Sequence, residues 1–100
     1  GLMLLESPAG ETRVVEIAPR VVCYVPPYWI HRSVNVGSDD LVMTFAYPAD
    51  SGQDYDIISR SRGMAQRIVR AAGAGWAKTP NQAYRSRSAE DVARVLATAA

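Results

Sequence analysis

The chain has 100 residues, 48% of them hydrophobic, and a formal net charge of +1, which suits one small domain and leaves no room for a second of ordinary size. Its longest apolar runs are only a few residues, so the sequence excludes a helix that spans a bilayer. The single cysteine excludes an internal disulfide, and because no charged-then-apolar leader stands at the start, we expect a cytoplasmic protein without a membrane partner.

Short strands separated by turn residues are predicted for the first part of the chain. Leu2–Glu6 is an apolar run typical of a buried strand. Turn residues at 7–10 lead into a second strand at residues 12–18, so these two strands are expected to form a hairpin. Pro19 and Arg20 make the next break.

Three further strands are predicted before residue 48. The run at residues 21–25 must end at the Pro26-Pro27 pair, because proline fixes φ and removes a backbone donor. A strand at residues 32–36 follows, and residues 41–47 show the clearest alternation, with large apolar side chains on one face. Strands this short and this regularly spaced indicate an all-β barrel or sandwich.

The second half of the chain is predicted to hold a helical turn and a hairpin. The helical turn covers residues 55–62 and ends at Gly63. Residues 66–71 are expected to pair with residues 75–79 across a turn of small residues.

A C-terminal helix is predicted within residues 88–100. Ser88 and Asp91 can cap its start, and Glu90 and Arg94 are spaced as an i, i+4 ion pair. Because three turns are too few to persist alone, its apolar stripe is expected to dock on the barrel or on a second subunit. The stripe consists of Val92, Val95, Leu96 and Ala99.

Charge is divided unevenly along the chain. Residues 1–58 carry 3 basic and 8 acidic side chains, a net −5, whereas residues 59–100 carry 8 basic and 2 acidic side chains, a net +6. A basic half is compatible with a nucleic-acid or phosphate surface, and equally with solvated arginines that face an acidic neighbour. Aromatic residues are not interleaved with the arginines, so we favour solvated arginines and expect no nucleic-acid partner. The arginines concerned are Arg60, Arg62, Arg67, Arg70, Arg85 and Arg87.

His31 is the only histidine, and it stands where alternation restarts after the Pro-Pro corner. Alternation with period two places His31, Ser33 and Asn35 on one face of the strand. An imidazole beside small polar groups fits a ligand site, although a lone histidine in a strand is also commonly a hydrogen-bonded structural residue. The residue pattern leaves both interpretations open.

Two long motifs in this region resemble one family. The sequence P-P-Y-W-x-H-R-x-x-N-x-G at residues 26–37 is followed by A-Y-P-A-D-x-G-x-D-Y at residues 46–55. Together they resemble the second half of the cupin-type, metal-dependent glucose-6-phosphate isomerases, and the likeness covers about residues 1–55. The resemblance implies a mainly β fold: a small cupin-like β-barrel, or double-stranded β-helix, that lacks its upstream strands and carries a C-terminal α-helix.

In this interpretation the whole chain is a single partial cupin domain. Residues 1–58 hold the barrel strands and the site loop, residues 59–84 a hairpin-like extension, and residues 88–100 the C-terminal helix. The resemblance further implies an aldose–ketose isomerase of glycolysis and gluconeogenesis that interconverts glucose 6-phosphate and fructose 6-phosphate.

The family's divalent metal, which is Fe, Zn, Mn or Ni, implies a role for His31. His31 matches the last of four metal ligands, and its ring is expected to face the barrel interior. The other three ligands, two His and one Glu, lie upstream of the position matched by Gly1. No catalytic residue is therefore assigned within this chain, and His31 alone is not expected to hold an ion tightly.

Three residues match the family's sugar-phosphate pocket. Tyr47 and Tyr55 stand at the positions of two tyrosines, whose phenolic groups can hydrogen-bond substrate oxygens. Gln53 replaces a family histidine, and an amide can bind a sugar or phosphate oxygen but cannot shuttle a proton. Tyr28 shares the motif of His31 and is either a residue of the site mouth or, as we favour, a half-buried barrel residue.

Other departures from the family leave a second interpretation. Asp56 and Ile57 replace Gly-Thr, which adds a negative charge near a phosphate pocket, and Arg20 replaces a turn glycine, where a positive φ would strain an arginine. The alternative is a non-catalytic cupin domain for sugar-phosphate binding or oligomerisation. In either case, strands without neighbours predict a homodimer or an upstream segment that covers them.

Overall fold

A computed structural model of the chain describes residues 1–97. The strands in this part of the chain form two antiparallel sheets, one of three strands in the order β2-β1-β3 and one hairpin of β4 and β5. None of the helices within it is long and apolar enough to cross a membrane. The elements are β1 (Leu2–Glu6), β2 (Thr12–Glu16), β3 (Ile30–Val34), α1 (Asp56–Arg60), β4 (Gln66–Arg70), β5 (Trp76–Pro80) and α2 (Ala89–Ala97).

β1 is the centre of the core because it is hydrogen-bonded to a strand on each side and covered on both faces. A strand of this kind is built largely of apolar side chains, and burying each one contributes about 1.5–3 kcal/mol. The predicted strand and its hairpin with β2 are confirmed. The relative exposures of the four apolar side chains are Leu2 1%, Met3 2%, Leu4 2% and Leu5 4%.

Two predicted strands are not formed within the described residues. Residues 21–25 and 41–47 have no strand structure, and Val22 and Val42 are 93% and 89% exposed. Neither segment has a partner strand in residues 1–97. Without a partner strand, the backbone N–H and C=O groups of an alternating segment cannot form interstrand hydrogen bonds. Both strand predictions are therefore wrong, and the described residues are mainly β without forming a closed barrel.

The bounds of β2 and β3 differ from those predicted. β2 ends at Glu16 rather than at residue 18, and β3 begins at Ile30 rather than at residue 32. After β2, Val21 N–H donates to the Ala18 carbonyl at 3.0 Å, and Arg20 in this turn has a φ of +71°. The position of the family's glycine thus has a positive φ, which strains the arginine that occupies it.

The helical turn and the hairpin of the second half are confirmed. α1 ends in a turn in which Gly63 has a φ of +94° and donates its N–H to the Ile58 carbonyl at 3.0 Å. β4 then pairs with β5, with Gln66 opposite Pro80 and Arg70 opposite Trp76. Since glycine accepts a positive φ without strain, Gly63 ends the helix as predicted.

Ser88 caps the start of α2 as predicted, whereas the reciprocal bond expected from the Asp91 side chain is not seen in the described residues, and the ion pair of the helix differs from the prediction. Ser88 Oγ accepts a hydrogen bond from Asp91 N–H at 3.1 Å. Arg94 binds the Asp91 carboxylate at 3.0 Å, so the pair has i, i+3 spacing and the predicted pair with Glu90 is wrong. Both spacings bring side chains together on a helix, which is why the sequence did not decide between them.

The apolar stripe of α2 docks only in part. Val92 and Val95 are half-buried, whereas Leu96 is 54% exposed and none of residues 89–97 is fully buried. Ala99, the fourth predicted member of the stripe, lies outside the described residues.

Candidate functional site

His31 lies on β3 directly opposite Leu5 of β1, which in turn lies opposite Arg13 of β2. Ser33 is opposite Met3 by the same register. Residues that face each other across a sheet share a face, so His31 and Ser33 point to one side, as the alternation predicted. Arg13 is two strands away from His31 on that side, roughly 10 Å at normal strand spacing.

The face that carries His31 is open at β3, although Met3 and Leu5 of β1 on the same face are buried. His31, Ser33 and Asn35 are all exposed, so the prediction that the imidazole faces a barrel interior is wrong for the described residues. Residues 21–25 and 41–47, which were predicted as strands of a closed barrel, form no sheet over β3 within residues 1–97. Asn35 is engaged in the following turn, where its Nδ2 donates to the Asp39 carbonyl at 2.8 Å and its Oδ1 accepts from Gly37 N–H at 3.0 Å.

The described residues do not by themselves fit a divalent metal. Within residues 1–97, no group of three or more His, Cys, Asp or Glu side chains lies close enough together to hold an ion. Stable coordination of such an ion needs about three protein ligands, and His31 supplies one imidazole. A complete metal site that includes His31 therefore needs ligands from elsewhere.

The three predicted substrate-binding residues lie on the loop between β3 and α1. Tyr47 and Tyr55 are 74% and 68% exposed, and Gln53 is exposed as well. No hydrogen bond joins any of them to His31 within the described part of the chain. The structure therefore places these residues on one connection but does not assemble them into a closed pocket.

Two contacts anchor this loop, one in its first half and one at its end. Leu41 packs against Gly1, where a Cβ would lie 2.7 Å from the leucine side chain, so a larger residue at position 1 would displace Leu41. At the other end, Asp54 Oδ1 accepts from the N–H groups of Asp56 and Ile57 at 3.1 and 3.3 Å and so caps α1. Tyr55 is the residue directly before α1, so the cap lies next to it.

Tyr28, in the motif of His31, has a φ of +68°. A left-handed conformation is unfavourable for a bulky residue and often occurs where the surrounding structure serves a binding site. The residue is 40% exposed. Tyr28 is thus neither fully buried nor fully exposed, two residues before β3 begins.

A buried ion pair that sequence reasoning missed supports this sheet. Arg87 Nη2 binds Glu6 Oε2 at 2.8 Å, with side-chain exposures of 4% and 0%. Glu6 Oε1 also accepts from Ala65 N–H at 2.6 Å, and Arg87 Nη1 donates to the carbonyls of Ser7 and Pro8 at 3.3 and 3.2 Å. The expectation that the arginines of the second half are solvated is therefore wrong for Arg87. The only sequence signal was an acidic residue that continues an apolar strand.

Tyr84 lies next to this ion pair. Burial raises the pKa of Tyr84 above its usual value, the Glu6 carboxylate raises it further, and the Arg87 guanidinium opposes both effects. The Tyr84 hydroxyl also lies 3.0 Å from where a Cβ on Gly10 would be, and Gly10 has a φ of +95°. The positive φ favours glycine in this turn, and the Tyr84 hydroxyl leaves little room for a larger residue.

Comparisons with known proteins identify the family of the chain. The family model for glucose-6-phosphate isomerase matches residues 1–85. The glucose-6-phosphate isomerase of Sinorhizobium medicae (strain WSM419) is 60% identical over 93 residues, which are 93% of this chain and 44% of that relative. The glucose-6-phosphate isomerase of Thermococcus litoralis is 42% identical over 73 residues, which are 73% of this chain and 38% of that relative.

The similarity extends over most of this chain but over less than half the length of these relatives, whose C-terminal portion it covers. No solved structure is significantly similar to the chain. The match of the family model over residues 1–85 and the high identity to the rhizobial relative agree with the two motifs around His31 and Tyr55. The chain belongs to the cupin-type glucose-6-phosphate isomerase family.

Proposed function

We propose that the chain is part of an enzyme that interconverts glucose 6-phosphate and fructose 6-phosphate in the cytoplasm, in glycolysis and gluconeogenesis. The observation that carries the proposal is its 60% identity, over 93% of its length, to the glucose-6-phosphate isomerase of Sinorhizobium medicae. The open face that carries His31 supports it, because an exposed imidazole can be joined there by ligands from another segment.

The proposed reaction moves a hydrogen between C1 and C2 of the sugar. A divalent metal, which the family implies to be Fe, Zn, Mn or Ni, supplies a Lewis acid when bound. His31 would hold it through one imidazole nitrogen, with two histidines and a glutamate outside the described residues as the other ligands. The residues of this chain contribute metal binding and substrate binding rather than the proton transfer itself.

Tyr47, Gln53 and Tyr55 are proposed to bind the sugar phosphate. A phenolic hydroxyl can donate to a phosphate or sugar oxygen, and the Gln53 amide can do the same without exchanging a proton. All three side chains are exposed, so a bound substrate would order the loop that carries them. Because Gln53 cannot act as an acid or base, any proton transfer must be assigned to another group.

We further propose that a second copy of the chain, or an upstream segment of the same protein, covers the unformed strands. Val22, Val42, Phe45 and Tyr47 are between 58% and 93% exposed. Apolar side chains of this size are costly to leave in water when they lie close together. The relatives are more than twice as long as the part that matches, which leaves ample chain for such a cover.

The alternative function is a non-catalytic domain that binds a sugar phosphate or mediates oligomerisation. The specific observation in its favour is Gln53, which replaces the family's histidine and removes an acid–base group.

Complementation separates the two functions. The chain is mixed with the unmatched part of the Sinorhizobium medicae relative and assayed for conversion of glucose 6-phosphate with each divalent metal. We expect activity that His31→Ala abolishes and that Ser38→Ala, on the exposed turn after β3, leaves unchanged. Binding of glucose 6-phosphate without turnover would favour the alternative. Activity that survives His31→Ala would contradict the role of His31.

A further inference from the structure

An arginine-lined cavity lies between α1 and the segment that leads into α2. Its volume is about 50 Å³, and its walls include Arg60, Arg85, Arg87 and Arg94, together with Ser61 and Asp91. A single water needs about 10–15 Å³, so the space is large enough for several water-sized atoms. Four of the nine residues that line so small a space are arginines, which is an unusual concentration of basic side chains.

The carboxylates nearby neutralise only half of the charge of these arginines. Asp91 is paired with Arg94 at 3.0 Å, and Glu6 is paired with Arg87 at 2.8 Å. Arg60 and Arg85 have no carboxylate partner within the described residues. Two of the four positive charges are therefore uncompensated, and both belong to side chains on the cavity wall.

A second, independent observation concerns Arg87. Its side chain is only 4% exposed, and both Nη atoms are bound to Glu6, Ser7 and Pro8. The remaining donor, Nε–H, is buried and has no acceptor in the described part of the chain. Arg87 lines the cavity, and because buried donors in folded proteins almost always have a partner, its Nε–H needs an acceptor such as a water or a bound anion.

We propose that this cavity binds a tetrahedral oxyanion of the phosphate class, held by Arg60, Arg85 and the Nε–H of Arg87. Arginine suits this ligand because its planar guanidinium donates several directed, charge-assisted hydrogen bonds to phosphate oxygens. The Glu6–Arg87 pair holds Arg87 in place, so this donor is fixed before the anion arrives.

The proposed oxyanion site goes beyond the proposed isomerase function and does not depend on it. Glu6 lies opposite Ile30 and Thr12, and alternation places these residues on the face of the sheet that His31 does not share. The cavity wall is thus tied to one face of the sheet and His31 to the other. Inorganic phosphate and the phosphate group of a sugar monophosphate are the two sources of such an oxyanion.

The test follows arginine Nε–H signals in the 15N-labelled chain by NMR during titration with inorganic phosphate at constant ionic strength. We expect the Arg87 Nε–H signal to shift and saturate, and Arg85→Gln to weaken binding about tenfold through loss of a charge-assisted contact. Arg70→Gln is the matched control, because Arg70 is exposed on β4 and outside the cavity. It should leave the affinity unchanged, as should His31→Ala. Far-UV circular dichroism checks that each variant is folded, and Arg60→Gln replaces Arg85→Gln if that variant is not.

Separate titrations with glucose 6-phosphate and glucose distinguish the two sources. A shift with the sugar phosphate but not with glucose shows that the site takes a phosphate monoester, and a shift with inorganic phosphate only restricts it to the free ion. An Arg87 Nε–H signal that does not move in tens of millimolar phosphate overturns the proposal. Equal weakening by Arg70→Gln also overturns it, because binding would then reflect the net charge of the second half.

Discussion

Glu6 and Arg87 are 81 residues apart in the sequence, yet their side chains form a 2.8 Å ion pair that is almost completely buried. The pair joins the central strand of the three-stranded sheet to the segment just before α2. Since the Glu6 carboxylate also accepts the backbone N–H of Ala65, one buried side chain connects three distant parts of the chain.

Glu6→Gln should lower the free energy of unfolding by about 3–5 kcal/mol, because it leaves the Arg87 guanidinium buried without its counter-charge. Asp91→Asn is the matched control. It breaks the exposed pair with Arg94, whose side chains are 43% and 55% exposed, and should cost about 0.2–1 kcal/mol. Urea unfolding measures both values. Equal losses in the two variants would show that burial does not strengthen the Glu6–Arg87 pair.

Arg20→Gly should raise the free energy of unfolding by about 0.5–1 kcal/mol. Glycine adopts the φ of +71° without the cost of about 1–2 kcal/mol that an arginine incurs, and its greater freedom in the unfolded state offsets part of the gain. Arg32→Gly in β3 should have the opposite effect, because a strand interior disfavours glycine. Thermal unfolding compares the two variants. A lower melting temperature for Arg20→Gly would contradict the assignment of strain.

Stability should fall as the pH rises above about 10, in a way that depends on Tyr84. The pKa of Tyr84 is higher in the folded chain than its usual value of 10.0, so the unfolded chain loses this proton first. The stabilisation is complete below the unfolded pKa and is lost as the pH rises towards the folded pKa. Tyr84→Phe should flatten the stability profile in this range, and Tyr24→Phe, an exposed control, should not. Identical profiles for the parent chain and Tyr84→Phe would refute this.

The isolated chain should bind no stoichiometric divalent ion, because one imidazole gives only weak coordination. Elemental analysis after dialysis against Fe, Zn, Mn or Ni tests this directly. One tightly held ion per chain would mean that His31 has ligand neighbours that the described residues do not reveal.

Light scattering should detect a species heavier than one chain of 10.9 kDa, since the apolar side chains of residues 41–47 need a cover. Phe45→Asp should shift the population towards the monomer by placing a charge in that surface. Val69→Asp, at a 37% exposed position of the separate β4–β5 sheet, is the control. A folded, monodisperse monomer of the parent chain would show that these segments need no partner.

Sequence patterns alone were sufficient wherever the deciding residues are close in the chain. β1 follows from an uninterrupted apolar run, the end of α1 from Gly63, the β4–β5 hairpin from two short runs around small residues, and the cap of α2 from Ser88. The motif around His31 also identified the family and the strand face that His31 shares with Ser33.

Only the tertiary structure decided which groups find distant partners. Residues 41–47 alternate better than any other segment but are not a strand, because a ladder needs a second strand, and no periodicity within the segment provides one. For the same reason the open face around His31 was not predicted. Arg87 resembles the other arginines of the second half in sequence, but it alone pairs with the buried Glu6 carboxylate, 81 residues earlier. A ladder and a buried ion pair each depend on a second group whose position is set by the folded chain, and local pattern carries no information about that position.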